Sequence, residues 1–314
     1  MRIKFIVSIT FLCLFVGQFG CSVKKTTFNI VASSLSKESG STVFTGDDDP
    51  ELVGDALPFA IKLYESLLAG SPKNPPLLLT TGKALCMYAY AFIQMPAEQL
   101  GYNELTQKDE MLQRAKHLYL RGRDNILTAI DIRHKSFMAN IGKGDMFAAL
   151  HDMHVKDTSY LFWAGMSWMA AFTTDKADVK LSMDVPKAFA LINKVMELKD
   201  SYGEGSAHDF FISYYGSMPE AMGGSEAKAR YHFGKAIEYS RGLKLAPYIS
   251  LATTVCVKKQ DIAEFKSLLQ TALRIDVNKS AVNRLVNILN QQKARWLLDH
   301  SDNFFLSAEG DSAK

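Results

Sequence analysis

Cys21 is the residue whose chemistry the sequence predicts most directly, because it follows a segment typical of an export signal. Arg2 and Lys4 precede an apolar run of about a dozen residues. A membrane-spanning helix needs about 20 apolar residues, so this run is too short to be one. Gly20, a small residue, stands directly before the cysteine. This arrangement is typical of a bacterial lipoprotein signal, in which the thiol is acylated and becomes the mature N-terminus. The sequence therefore predicts an export signal over residues 1–20 and lipidation of Cys21.

The signal departs from the usual lipoprotein pattern at two positions. Gln18 and Phe19 stand where such signals generally carry a leucine and a small residue. Two alternatives therefore stay open: a plain secretory signal cut nearby, and a cysteine that is not modified at all. If Cys21 is lipidated, the lipid is the chain's attachment to the inner or the outer membrane, and the mature protein faces the periplasm.

Two histidines at helical spacing, His151 and His154, are the residues most suggestive of a metal, with aspartates nearby. A structural zinc needs four firm ligands and a catalytic zinc three, and neither an HExxH motif nor clustered cysteines complete such a set. We therefore expect a solvated cluster, with no metal and no cofactor. Nucleophile and phosphate motifs such as GxSxG and Walker A are also missing from the sequence, which favours a protein that is not an enzyme. The competing hypothesis is an envelope hydrolase or metalloenzyme that uses the two histidines.

The stretch YLRGRDN places Arg121 and Arg123 close together on a helix rich in leucine and tyrosine. A guanidinium at the edge of a cleft can bind a carboxylate through two parallel hydrogen bonds. A solvated face, or a salt bridge to a neighbouring helix, explains the same pattern.

The stretch SYLFWAGMSWMAAF over residues 159–172 is apolar on all sides and contains Trp163 and Trp168. A helix that is apolar all round is expected at the centre of a core. The other interpretation is that part of it lines an apolar cleft that accepts a hydrophobic ligand.

The segment over residues 210–229 contains the densest group of glycine and proline in the chain. Ser225 can cap the helix that follows, and the exposed N–H groups at that helix start could hold an anion. Tyr214 and Tyr215, just before the loop, could face a cleft or a partner. The alternative is a simple connector between two helices, in which Ser225 only caps the second helix.

Composition excludes some classes of partner. The 314 residues are 47% apolar and 22% charged, as in ordinary globular proteins. The 36 basic residues, less Arg2 and Lys4 of the signal, leave 34 against 33 acidic ones, so the mature chain lacks the basic surplus of a nucleic-acid binder. Cys86 and Cys256 lie in apolar helical stretches, and we expect buried free thiols rather than a disulfide.

Apolar residues recur at helical spacing along almost the whole chain, and this pattern predicts an all-α fold. Asp49 and Pro50 predict one helix start. An apolar face follows at steps of three and four residues, made of Leu52, Ala56, Phe59, Leu63 and Leu67. The predicted domains are a signal (1–20), a lipidated start with a flexible tether (21–46), an all-helical domain (47–306) and a disordered tail (307–314). The predicted helices cover residues 50–69, 76–95, 108–131, 135–150, 158–173, 186–199, 204–216, 225–241, 245–257, 261–275 and 279–299.

A repeated spacing indicates that the helices pack in pairs. Ala115, Tyr119 and Gly122 stand at i, i+4 and i+7, and the same small–large–small stripe recurs in several helices. Residues at this spacing share one helix face, and the small ones let a neighbouring helix approach closely. The further stripes are Ala60, Tyr64, Leu67; Ala188, Ile192, Val195; Ala229, Phe233, Ala236; and Phe265, Leu269, Ala272. The pattern predicts a cryptic tetratricopeptide-like array, an α-solenoid or helical bundle.

Several longer segments then resemble one protein family. They are DDDPELVGDALPFAIKLYESLLAGSP, RAKHLYLRGRDNIL, YLFWAGMSW, YYGSMPEAMGGSEAKARYHFGKAIEYSRG and APYISLATTVCVKKQDIAEFKSLLQTAL. In this order they resemble the T-component family of tetratricopeptide-repeat-associated TRAP transporters, and the resemblance spans roughly residues 47–306.

The resemblance implies a periplasmic, lipid-tethered, all-helical protein that forms homotrimers. It also implies binding to the periplasmic solute-binding subunit (P component) of a TRAP transporter, which imports small organic acids or related hydrophobic anions. Members act as docking scaffolds with an internal cleft or pore. A different role, that of an envelope-biogenesis lipoprotein recruiting outer-membrane assembly partners, fits the same fold and is the alternative function.

Overall fold

The computed structural model describes residues 38–306, and within that part of the chain the backbone forms thirteen helices and no strand. The predicted all-α fold is therefore confirmed. The predicted signal peptide, Cys21 and the tail 307–314 lie outside the described residues. In chain order the helices are α1 (Glu38–Thr45), α2 (Pro50–Gly70), α3 (Pro75–Glu98), α4 (Leu105–Arg133), α5 (Phe137–Lys143), α6 (Met146–Leu150), α7 (Thr158–Thr174), α8 (Val179–Lys199), α9 (Tyr202–Ser217), α10 (Glu226–Ser240), α11 (residues 246–259), α12 (Ile262–Leu273) and α13 (Arg284–Asp299).

Short polar side chains begin several of these helices. Asp49 accepts a hydrogen bond from the Leu52 amide at 3.0 Å, and Asn74 accepts one from the Leu77 amide at 3.2 Å. Each cap satisfies an amide that the first helical turn leaves without a partner. A proline follows Asp49 and Asn74 directly, at the position where its missing N–H costs nothing.

The largest errors in the predicted helix boundaries concern two helices. The single helix expected over 135–150 is two short helices, because Gly144 adopts a left-handed conformation with φ 78° and ends α5. The helix expected from residue 186 begins at Val179, where Asp178 accepts a hydrogen bond from the Leu181 amide at 3.1 Å. Pro186 therefore lies inside α8 and does not start it.

The predicted pairing of helices is confirmed by how closely their small residues meet. Helix α3 packs on α4, α4 on α7, α7 on α8, and α9 on α10. A Cβ atom added to Gly82 of α3 would lie 2.7 Å from the Gly122 carbonyl of α4. One added to Gly165 of α7 would lie 2.6 Å from Ile192 of α8. The glycines thus allow backbone contacts that any side chain would block.

Of the apolar face expected for α2, only Leu67 is buried, together with Tyr64 of the predicted stripe. Leu52, Phe59 and Leu63 are 59%, 75% and 41% exposed. The side of the helix that packs inward consists of five residues, which are Val53, Leu57, Ile61, Tyr64 and Leu67. Helix α2 is apolar on both sides, so periodicity alone could not distinguish the face that meets the core from the face that remains outside.

The two ends of the helical array are in contact. Leu285 and Leu289 of α13 belong to the same buried cluster as Val53 and Leu57 of α2. The Arg284 guanidinium donates to the carbonyl oxygen of Gly46 at 3.3 Å, across 238 positions of sequence. Helices from the start and the end of the described chain therefore share an interior, in which residues distant in sequence can meet.

Helix α3 forms part of this interior. By length and composition it could cross a membrane, with 24 residues and a mean hydropathy of 1.2 over its most apolar window. Half of that window is buried inside the protein, against α2 and α4. Its burial is that of a core helix.

The two described cysteines are free and buried, as the sequence predicts. The Cys86 sulfur lies 2.8 Å from the Ser167 hydroxyl, between α3 and α7. The Cys256 sulfur lies 3.5 Å from a carboxylate oxygen of Glu264. Both thiols therefore pack within the helical array.

Candidate functional site

The shared interior contains a charged pair from opposite ends of the chain. The Lys293 ammonium of α13 lies 2.9 Å from the Glu98 carboxylate at the end of α3, although 195 positions separate them in sequence. The same ammonium lies 6.0 Å from the centre of the Tyr90 ring. The side chains of Lys293 and Glu98 are 19% and 37% exposed, so solvent still reaches them.

A short hydrogen-bond chain fixes the position of Glu98. The Tyr119 hydroxyl donates to the Gln94 side-chain oxygen at 2.6 Å, and the Gln94 amide donates to Glu98 at 2.7 Å. Burial raises the pKa of Glu98, but Lys293 and Gln94 outweigh it and hold the carboxyl below its ordinary value. For Lys293 burial lowers the pKa, and the stronger effect of Tyr90 and Glu98 raises it. This pair is therefore ionised and internally neutralised.

Asp209 and Lys244 contribute a second set of charges from α9 and the loop before α11. The Ser250 hydroxyl donates to Asp209 at 2.8 Å. The Lys244 ammonium donates to the Gly203 carbonyl at 2.9 Å and to the Ser206 hydroxyl at 2.8 Å. Burial raises the pKa of Asp209, and it lowers the pKa of Lys244. Each group is thus incompletely compensated in its charged form.

An unusual backbone turn presents the Gly203 carbonyl to Lys244. Gly203, Glu204 and Gly205 all have positive φ angles, of 55°, 54° and 82°. Such a conformation is disfavoured for Glu204, which has a side chain, by about 1–3 kcal/mol. The Asn283 amide donates to the Glu204 carboxylate at 2.7 Å and holds the turn against the start of α13.

The two sets of charges act on one shared side chain, Tyr90. Lys293 lowers the pKa of the Tyr90 hydroxyl, but burial together with the carboxylates of Glu98 and Asp209 raises it overall. We call the five side chains Tyr90, Glu98, Asp209, Lys244 and Lys293 the interior cluster. Each of these five side chains is partly exposed.

The chemistry available in the interior cluster is that of binding. Two ammonium groups, two carboxylates and a phenol can donate to and accept from a small polar molecule.

Arg121 and Arg123, the predicted carboxylate ligands, lie on different sides of α4. Arg121 forms an ion pair with Glu65 of α2 and is half-exposed. Arg123 pairs with Asp124 at 2.7 Å, and its guanidinium lies 4.9 Å from the centre of the Trp168 ring. The structure therefore does not bring the two arginines together at one position.

Trp163 and Trp168 lie on α7, which is largely buried at the centre of the main core. Trp163 is partly exposed and lies 5.5 Å beneath the Lys83 ammonium. Trp168 is 5% exposed, between the cationic groups of Arg123 and Lys187. This placement agrees with a central core helix for Trp168, whereas Trp163 still meets solvent.

Tyr214, Tyr215 and Ser225 gather around the connection between α9 and α10. Tyr214 packs on Phe189 with ring centres 4.8 Å apart. The Ser225 hydroxyl accepts a hydrogen bond from the Lys228 amide at 3.3 Å and caps α10. The Ser225 amide donates to the Tyr215 carbonyl at 2.9 Å, so the loop is closed onto the end of α9.

His151 and His154 do not assemble a metal site. His151 is exposed and lies 2.8 Å from Asp152, while His154 precedes a short turn in which its own amide donates to Asp157. Among residues 38–306 no group of three or more metal-ligating side chains comes together.

Sequence reasoning missed the interior cluster altogether. Glu98 and Lys293 are charged residues within otherwise buried helices, which is a weak signal because such residues usually face solvent. Their pairing depends on contact between α3 and α13, which no local spacing encodes. Only the closure of the array brings them together.

Comparison with known proteins identifies a family and a relative. A family model described as TRAP transporter T-component matches residues 46–305 of the chain. A protein of Treponema pallidum (strain Nichols), described as uncharacterized, is 31% identical over 302 residues, covering 91% of this chain and 94% of that protein. The family match extends from α2 to α13 and includes all five residues of the interior cluster, so the candidate site lies inside the matched region.

Proposed function

We propose that this chain, which belongs to the TRAP transporter T-component family, is a lipid-anchored periplasmic scaffold that binds the solute-binding (P) subunit of its transport system. Membership makes the chain a subunit of a TRAP system. The observation that carries the proposal is the family match over residues 46–305, which covers the helices from α2 to α13.

The fold supports a docking role on physical grounds. Stacked helix pairs form extended surfaces on which repeat proteins generally bind their partners. The contact between the first and last helices fixes the curvature of such a surface, because α13 joins the core of α2 and α3. The family is one of transporter components, and we propose no catalytic activity for this member.

An exposed apolar stripe supports association with further protein. Leu52, Phe59 and Leu63 lie on the outer side of α2, and exposed apolar patches commonly mark interaction sites. Arg121 is half-exposed and is attached to the same helix through its ion pair with Glu65. We propose that this surface takes part in docking or in a homotrimer.

A small organic anion is the proposed ligand of the interior. Trp163 offers an apolar surface, and the interior cluster offers ammonium groups. In this proposal the scaffold receives the solute-binding subunit over the interior cluster, while transport itself belongs to separate membrane subunits.

The experiment that tests the docking role is extraction of the native protein in mild detergent, followed by mass-spectrometric identification of the proteins that co-purify. Recovery of a periplasmic TRAP solute-binding subunit, at an amount comparable to the bait, is the expected result. Recovery of outer-membrane assembly proteins without that subunit would contradict the proposal and favour the envelope-biogenesis role.

A further inference from the structure

The connection between α4 and α7, which contains the short helices α5 and α6, is apolar on its outer side as well as on its inner side. The inner side belongs to the main core and consists of Phe137, Ile141, Ala149 and Leu150. On the outer side the Phe147 ring is 81% exposed. We call residues 131–157 the α4–α7 segment, and its exposed apolar side chains are Ile132, Met138, Phe147 and Val155. Apolar surface of this kind is typical of a docking site.

Contacts across the α4–α7 segment hold these side chains on one compact unit. The Arg133 guanidinium donates to the Asp157 carboxylate at 3.1 Å, so the two ends of the segment meet. Between them α5 packs on α6, and the Met138 amide donates to Asp131 at 2.9 Å. Helix α8 packs on both α6 and the turn at residues 155–157. The segment is therefore a closed excursion of the chain that presents one outer surface.

Three lysines of the same segment have no carboxylate partner. Within residues 38–306 no ion pair and no hydrogen bond engages the ammonium groups of Lys135, Lys143 and Lys156, and all three side chains are exposed. Each carboxylate of the segment, by contrast, already has a partner inside it. These carboxylates are Asp131, Asp145, Asp152 and Asp157. The three ammonium groups are thus free to meet an anionic surface.

We propose that the α4–α7 segment contacts the surface of an anionic phospholipid bilayer, as a second membrane contact beside the lipid on Cys21. The Phe147 ring enters the boundary between headgroups and acyl chains, and the three lysines meet the lipid phosphates. This inference rests on the proposed function, in that it takes the chain to be lipid-anchored.

Charge and tether length favour a bilayer as the occupant of this surface. An exposed aromatic ring among unpaired lysines matches the headgroup boundary, which is anionic at its surface and apolar below. Cys21 is 17 positions from Glu38 at the start of α1, and a fully extended chain of that length reaches only about 60 Å. A domain on so short a tether meets its own bilayer at a high effective concentration, so a weak contact is sufficient.

The experiment is co-sedimentation of the full-length chain carrying Cys21→Ser with sucrose-loaded vesicles, so that no acyl chain contributes. The vesicles consist of phosphatidylcholine alone or of an equal mixture with phosphatidylglycerol. We expect binding to the mixed vesicles at millimolar lipid, and at least about tenfold weaker binding to phosphatidylcholine alone, because the lysines then have no anionic partner. Equal binding to both kinds of vesicle, or binding to neither, would overturn the proposal. A contact that needs millimolar lipid is released by the dilution of cell fractionation, so the same variant still fractionates as a soluble protein.

Two further substitutions in this background assign the contact to the α4–α7 segment. Phe147→Ser should lower the partition coefficient into mixed vesicles about tenfold, because the ring no longer enters the bilayer. Lys143→Gln should lower it about fivefold, because one ammonium group is lost. Unchanged thermal unfolding checks that both variants, which alter exposed side chains, remain folded. Binding by Phe147→Ser that equals that of the unsubstituted background would contradict the assignment.

Matched controls change the same kinds of side chain elsewhere. Tyr102 is 83% exposed and precedes α4, whose 29 residues place it about 40 Å from the segment at the other end. Lys176 is exposed in the loop that follows α7, whereas the α4–α7 segment precedes that helix. Tyr102→Ser and Lys176→Gln should therefore bind mixed vesicles as the background does.

The outcome separates this inference from the proposed docking role. If the solute-binding subunit co-purifies while no vesicle is bound, the membrane contact fails and docking stands. If mixed vesicles are bound but that subunit does not co-purify, docking fails and the membrane contact stands. Absence of vesicle binding, together with loss of the co-purifying subunit in Phe147→Ser, would show that this surface meets a protein and would overturn the proposal.

Discussion

The Nδ1 atoms of His208 and His232 lie 2.8 Å apart and join α9 to α10 through a single shared hydrogen bond. One ring must donate and the other accept, so the contact requires that at least one imidazole be neutral. His208 is 1% exposed, and its Nε2 atom has no hydrogen-bond partner among the described residues. His232 is stacked against Phe211 and Tyr215. The pair therefore sits where a positive charge is poorly tolerated.

We predict that this histidine pair makes the folded protein less stable in mild acid. Burial, with smaller contributions from His208 and Lys228, lowers the pKa of His232 to about 4, and burial also lowers that of His208. The unfolded chain then binds more protons than the folded one between pH 6.5 and 4. Stability is accordingly full above about pH 6.5 and falls below it. For His232 the loss by pH 5 is about 2 kcal/mol.

The measurement is urea denaturation of the protein from pH 7.5 to pH 4.5. His232→Gln should lower by about one the number of protons that the chain takes up on unfolding in this pH range, so stability should fall less steeply with acid. His151→Gln, at an exposed histidine paired with Asp152, should leave the curve unchanged. The charged groups that act on His208 include Asp200, Lys235 and Glu238 and are identical in both variants. Parallel curves for the parent and His232→Gln would show that the pair does not carry the effect.

The close approach of α3 and α4 predicts a specific cost for adding one methyl group. In Gly82→Ala the new Cβ would lie 2.5 Å from Ile126 and 2.7 Å from the Gly122 carbonyl, so the two helices must separate. We expect a loss of about 1–3 kcal/mol in the free energy of unfolding, as for other overpacked cores. Gly234→Ala on α10, where the added Cβ meets no atom within 4 Å, is the control. It should be neutral or stabilising, because alanine is the better helix former.

Cys86 and Cys256 should resist alkylation in the folded protein. Burial raises the pKa of each thiol to about 12, and for Cys256 Glu264 adds to the effect. Only the thiolate reacts rapidly, so both cysteines should be labelled by iodoacetamide at pH 8 only after unfolding. Mass spectrometry of the digested protein, with and without urea, reads out each site separately. Rapid labelling of either residue in native conditions would contradict the described packing.

The predicted anchor is tested by Cys21→Ser. If the thiol carries the lipid, the variant should appear in the soluble periplasmic fraction, while the parent stays with membranes. Cys86→Ser is the matched control, because it removes a described buried thiol, and it should fractionate as the parent does. Retention of Cys21→Ser in the membrane fraction would rule out a lipid on Cys21 as the attachment.

The fold was largely predictable because its signals are local. Caps such as Asp49 and Asn74 and the stripe of Ala115, Tyr119 and Gly122 each act within one or two helices. The outward face of α2 was not predictable in this way. Its apolar residues occur on both sides, and the choice between them depends on where α3 and α13 lie.

The candidate site was not predictable from sequence spacing for a similar reason. Glu98 and Lys293 are 195 positions apart, and Asp209 lies between them on a third element. Of the predicted residues, Arg121 and Arg123 are engaged by Glu65 and Asp124 on different sides of α4. Because Arg121 and Arg123 are only two positions apart, the sequence suggested one joint site. Residues two positions apart on a helix face different directions, so the two side chains are separated in space.

The measurement that tests the central claim most directly is the affinity of the purified protein for the solute-binding subunit of its own transport system. Sedimentation velocity of mixtures of the two proteins measures it. The account predicts a stable complex for the parent protein. It also predicts a weaker complex for Arg121→Glu, which stays folded because that side chain is half-exposed and the repulsion from Glu65 is screened by solvent. Lys266→Glu, an exposed change on α12, is the control and should bind as the parent does. Absence of any complex at micromolar concentrations of both proteins would contradict the account.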